Sequence, residues 1–113
     1  MATATFVQEG ASIDYTPGSA VSAGDVIVQE DLVGVAKLDI AANALGALAT
    51  EGVFDFPKAT TSGSAISAGE ECYWDEAETV AKTDAESGAN KLIGKATAAA
   101  GADDDTVRIR MSQ

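Results

Sequence analysis

The residues with chemical reach in this 113-residue chain are carboxylates, two repeated serines and a single thiol; histidine is absent. Ser22 lies in Ala-Val-Ser-Ala-Gly at 20–24, and Ser67 in Ala-Ile-Ser-Ala-Gly at 65–69. Both come close to the G-x-S-x-G turn that presents the nucleophile of a hydrolase, but each begins with alanine. A serine also needs a base to take its proton. Without histidine the commonest general base, the usual triad partner and the commonest metal ligand are lost together. The two serines therefore read as turn residues. Carboxylates are close in sequence at Asp25 and Glu30, at Glu70 and Glu71, and from Asp103 to Asp105. A glycosidase needs one carboxyl held protonated beside a sugar cleft. These carboxylates sit among turn residues, and few aromatic rings are available to stack on sugars. The Asp103–Asp105 run offers oxygen ligands to calcium but lacks the alternating spacing of a calcium loop, and a solvated acidic loop is expected. Cys72 cannot form an intrachain disulfide, and Glu70 and Glu71 beside it oppose a thiolate. Gly34 and Gly94 are isolated, with no phosphate-cradling motif around them.

These groups are carried by a chain that repeats itself. Residues 18–25 read GSAVSAGD and residues 63–70 read GSAISAGE, an offset of 45 (63 − 18). Glycine permits positive φ, and an acidic side chain bonds nearby main-chain N–H groups, so the phrase predicts a tight turn leading into a strand. Strand-like VIVQ follows the first copy at 26–29, and CYWD follows the second at 72–75. LVGVA at 32–36 is answered by LIGKA at 92–96, an offset of 60 (92 − 32). The extra residues fall between Trp74 and Leu92. Two related β units are expected, spanning 18–56 and 63–113, the second with an enlarged hairpin.

The rest of the chain is consistent with an all-β domain at 11–113 behind an extended arm at 1–10. SIDYT at 12–16 alternates, and Pro17-Gly18 ends it. DIAANALGALAT at 39–50 is rich in alanine, but Asn43 and Gly46 interrupt it and no clean 3.6 period emerges. A turn near 42–44 and a strand over 45–51 are expected there. VFDF at 53–56 is a strand cut by Pro57. Cys72–Trp74 should pair with Thr79–Lys82 across a turn, and 83–90 has turn composition. TVRIRM at 106–111 puts Val107, Ile109 and Met111 on one face and Arg108 and Arg110 on the other. Short strands with glycine-rich turns predict a small barrel or sandwich with little helix.

Composition bounds the partners. Seven basic against 18 acidic residues give a formal net charge of −11, which repels nucleic-acid phosphates and anionic membranes. A single small domain with few large side chains gains from oligomerisation. The opening MATATFVQEG lacks the basic and apolar regions of a signal peptide, and no apolar run approaches a bilayer span. A soluble protein made in the cytoplasm is expected.

The order of these features resembles a family of small tailed-phage and prophage proteins, the capsid cement or head decoration proteins. It runs through SIDYTPGSAVSAGDVI, DLVGVAKLDIAANALGALATEGVFDFPKA, the second SAISAGE with CYWD, a hairpin, LIGKA and TVRIRM, and it covers essentially the whole chain. None of these segments is a catalytic motif. The resemblance implies a β-tulip-like or β-clip-like domain with no enzymatic activity and no cofactor. It further implies binding to the exterior of an assembled head, with the major capsid protein as partner and a homotrimer on the shell. The alternative is a β-clip or SAF-like ligand-binding module, because VSAGDVI followed by EDL shares the rhythm of such domains, or another virion component. The expected shell-contact arm comprises Thr3, Thr5, Phe6, Val7 and Gln8, uncharged and able to add a strand to a neighbouring sheet. Expected oligomer contacts are Phe54, Phe56, Tyr73, Arg108 and Arg110.

Overall fold

The computed structural model describes residues 4–6 and 10–113. Among these residues nine strands form two antiparallel sheets: β1 Ser12–Tyr15, β2 Val26–Gln29, β3 Leu32–Ala36, β4 Gly46–Ala49, β5 Gly52–Pro57, β6 Glu71–Asp75, β7 Val80–Lys82, β8 Lys91–Ala96 and β9 Thr106–Met111. One short 3-10 turn covers Glu86–Gly88. The first sheet has the order β1-β4-β3-β2 and the second β5-β9-β8-β6-β7. Neither sheet closes, so the molecule is a small β-sandwich rather than a barrel.

The repeated phrase builds the same device twice. Asp25 Oδ2 accepts the Ser22 N–H at 3.0 Å, and Glu70 Oε1 accepts the Ser67 N–H at 2.8 Å. Gly24 and Gly69 take φ of 93° and 87°, where a side chain would be strained. Their N–H groups then donate to Ala36 O at 2.6 Å and Ala96 O at 2.7 Å. Val21 bridges Ile40 as Ile66 bridges Ala100. Beyond the phrase, Ile27 faces Gly34 in one sheet and Cys72 faces Gly94 in the other.

Strand order extends the correspondence. β1-β4-β3-β2 matches β5-β9-β8-β6, and β7 is the added strand. The extra residues of the second unit thus become the β6–β7 hairpin and the 3-10 turn. β5 opens the second sheet, pairing with β9 from Gly52↔Met111 to Pro57↔Thr106. The repeat spacing instead predicts that it closes the first unit, because this long-range pairing leaves no local signal. The 39–50 segment turns at 42–43, with Asn43 at φ 64°, and its strand is confined to Gly46–Ala49. Asn43 N–H donates to Pro17 O at 2.8 Å, which fixes the turn against the end of β1.

Two clusters bury the apolar side chains. The larger joins Val33 and Val35 of β3 to Phe56, Cys72, Trp74, Ile93, Val107, Ile109 and Met111 of the second sheet, so it holds the two sheets together. The smaller gathers Val21, Ile40, Leu48 and Ala36 on the first sheet's other side. The Gln113 side chain completes the junction. Its carboxamide accepts the Val33 N–H at 2.7 Å and donates to Val33 O at 2.6 Å, bonding β3 as a short strand would.

Candidate functional site

The predicted arm is only partly placed. Thr3, Val7 and Gln8 lie outside the described residues. Thr5 and Phe6 are exposed and outside any strand, with Phe6 77 % accessible.

The aromatic residues expected at an oligomer contact separate by face. Phe56 is 1 % exposed, stacked at a tilt on Trp74 with centroids 6.0 Å apart and edge-on to Phe54 at 6.3 Å. It belongs to the core and has no surface for a second chain. This corrects the expectation, and the reason is strand parity: Phe56 shares its face with Phe54 and points with Val107 into the sandwich. Phe54 and Tyr73 are half-buried.

Arg108 is opposite Asp55 across the β5–β9 ladder. Its Nε donates to Asp55 Oδ1 at 2.9 Å and its Nη2 to Oδ2 at 3.2 Å. The bond lowers the Asp55 carboxyl and raises the guanidinium from their ordinary values. Both side chains are exposed, so the pair fixes local geometry and adds little stability. Arg110 is exposed beside Lys95, its partner across β8–β9.

The groups with catalytic potential lie in turns, loops and the core. Ser22 and Ser67 are exposed turn residues. Asp104 Oδ2 accepts the Gly101 N–H at 2.8 Å, closing its own loop. Burial pushes the Cys72 thiol up to about 11, which leaves it protonated at neutral pH. Asp75, Glu78 and Glu86 converge on Lys82, at 2.9, 2.9 and 3.9 Å. Lys82 hydrogen-bonding lowers the Asp75 carboxyl, aided by the Glu78 N–H, and raises the ammonium. The cation at the centre of these carboxylates is the chain's own lysine. Among the described residues no cluster of Cys, Asp and Glu could hold a metal ion. Lys58, 4 % exposed, donates to Ala59 O at 2.6 Å, Ser64 Oγ at 3.0 Å and Ala102 O at 3.3 Å, tying the polar 59–64 loop to the 98–105 loop. Asn90 is also buried, its Nδ2 donating to Asp84 O and Glu86 Oε2, so the 83–90 segment is anchored at its end.

The sequence reading missed a surface difference between the two units. Leu38 and Leu45 are 77 % and 71 % exposed and flank a groove of about 310 Å³ with Ala41 and Ala44. The corresponding groove of the second unit, about 230 Å³, is lined instead by Ala98–Ala100, Asp104 and Asp105. Aligning the two loops by the 60-residue offset would have shown this: Leu38 matches Ala98 and Leu45 matches Asp105.

What the fold defines is a duplicated β-sandwich in which Asp25, Glu70, Lys58 and Lys82 tie its own turns and loops together. The chain matches a family model described as phage cement protein over residues 7–111 and belongs to that family. No curated protein and no solved structure matches it. A phage cement protein is a structural component of the capsid. No described helix is long and apolar enough to cross a membrane.

Proposed function

We propose that this chain decorates the exterior of an assembled phage head, binding the major capsid protein as a homotrimer and stabilising the shell. The observation that carries the reading is the family match across residues 7–111. The geometry is compatible with it: Asp25, Glu70 and Asp75 are bonded within the fold, and burial keeps the Cys72 thiol protonated.

The physical work is linkage. A protein that binds the assembled lattice and not the free subunits lowers the free energy of the assembled state by mass action. The charge of −11 keeps free copies apart until a complementary surface gathers them. The arm, with Thr3, Thr5, Phe6, Val7 and Gln8, supplies part of the contact, and Phe54, Tyr73, Arg108 and Arg110 remain available for contacts between copies. The test is the heat resistance of shells assembled without this protein, before and after it is added back. Restored resistance that saturates with added protein is expected. Shells equally fragile at every concentration would refute the proposal.

A further inference from the structure

The duplication supplies an internal comparison at the sheet edges. In the second unit the outer edge of β6 is covered by β7, in the register Tyr73↔Lys82, Trp74↔Ala81 and Asp75↔Val80. By the 45-residue offset, Tyr73 corresponds to Val28 (73 − 45). In the first unit β2 ends the sheet, and no described strand lies beyond it.

The main-chain polarity of that edge follows from the ladder. Ala36 N–H donates to Asp25 O at 3.0 Å. Alternation along an antiparallel pair then turns Ile27 and Gln29 towards β3, and the N–H and C=O groups of Val26 and Val28 outward. An edge left this way templates another strand unless the sequence blocks it. The other three edges are blocked. β1 carries Asp14 at its centre, β5 carries Asp55 and Pro57, and β7 is three residues long and ends in Lys82 with its ion pairs. β2 is Val-Ile-Val-Gln, with no charge, proline or glycine. Beside its start runs a groove of about 370 Å³, where Val26 and Ile27 face Pro57, Trp74 and Thr79.

We infer that the β2 edge receives an extended strand from the capsid protein, so that the first sheet gains the fifth strand that β7 gives the second. The occupant's chemistry is set by charge. β2 is bracketed by Asp25 on one side and Glu30 and Asp31 on the other, Asp31 being ion-paired with Lys91 at 2.8 Å, in a chain of net charge −11. A second copy pairing through its own β2 edge would bring Asp25, Glu30 and Asp31 against the same residues here. A neutral or basic extended segment with alternating apolar residues fits, held by main-chain bonds to Val26 and Val28. This inference rests on the shell-binding proposal and names the surface that carries it.

The test is Val28→Pro. Proline removes an outward N–H and trims a half-buried side chain that packs against the larger core cluster, and it is tolerated at edge strands. Wild-type and V28P proteins are compared for binding to shells that lack the protein, with circular dichroism as the check on folding. A loss of affinity of about tenfold or more is expected. If wild type binds and folded V28P binds equally well, the edge is not used, while the decoration reading stands; if wild type does not bind, the decoration reading itself falls. A change in the mass of free V28P with shell binding intact would assign the edge to a second copy and overturn the capsid occupant. Hydrogen exchange on the wild type needs no variant. Exchange across residues 26–29 should slow about tenfold on shells while the β5 and β7 edges stay unchanged, and unaltered exchange at 26–29 would overturn the inference.

Discussion

Replacing Gly94 by alanine should remove much of this domain's stability. A Cβ at Gly94 would lie 1.9 Å from the Arg110 carbonyl oxygen and 2.8 Å from the Ser112 nitrogen. Both atoms are main chain, fixed by the ladder that pairs Gly94 with Met111 and Lys95 with Arg110, so neither can rotate aside. Reaching even 3.0 Å, the limit of real Cβ contacts, requires a shift of 1.1 Å (3.0 − 1.9) between β8 and β9. That shift stretches the bonds on either side, Ser112 N–H to Ile93 O at 2.9 Å and Thr97 N–H to Arg108 O at 2.8 Å. Overpacking together with weakened ladder bonds should cost about 3–5 kcal/mol. A domain of this size holds only about 5–15 kcal/mol in total, so Tm should fall by roughly 10–20 °C. Gly101→Ala is the control: its Cβ would meet only Asp104 Oδ2, at 3.7 Å, and should change stability by less than about 0.5 kcal/mol. The duplicate Gly34→Ala meets the Leu48 side chain at 2.8 Å, where smaller shifts suffice, for an intermediate loss of about 1–3 kcal/mol. Urea and thermal unfolding, followed by Trp74 fluorescence and circular dichroism, give all three values. Equal stabilities for G94A and G101A would refute the close-approach argument.

Removing the Gln113 side chain with Gln113→Ala leaves the buried Val33 N–H and C=O without their partner and should cost about 1–3 kcal/mol by urea unfolding; an unchanged midpoint would show that solvent replaces the clip. Asp75 has a lowered folded pKa, so its contribution is fully present above the ordinary carboxylate range and is lost as pH falls through the lowered folded value. Lys82→Met should therefore lower Tm at pH 7 and shrink the loss of stability between pH 7 and the acid end, and a parallel pH profile for the two proteins would contradict this. Cys72 should resist alkylation at pH 7 in the folded protein and react on unfolding; rapid labelling of the native chain would show that the β6 core opens without global unfolding.

Where structure depended on neighbours in sequence, the chain was legible. The Ser-Ala-Gly-acid phrase specifies its turn through residues three apart, Ser22 with Asp25 and Ser67 with Glu70, so both copies could be read directly. Alternation in TVRIRM placed Val107, Ile109 and Met111 inside and both arginines outside. The enlarged hairpin showed as a change of offset between repeats. What escaped depended on long-range register. Arg108 meets Asp55 only because β5 pairs with β9, and that pairing also moved β5 into the second unit. Phe56 and Tyr73 have similar local surroundings in sequence, yet one is core and the other half-buried. Exposure of Leu38 and Leu45 follows from which side of the loop the first sheet covers. That is fixed by the packing of Val21 and Ile40 and carries no periodic signature.

Co-sedimentation of the purified protein with expanded shells of its phage, assembled without it, tests the central claim most directly. The account predicts saturable binding that reaches a plateau at a fixed copy number per capsomer, with free protein left in the supernatant beyond it. Protein that stays in solution at every concentration, with shells shown to be intact and expanded, would contradict it.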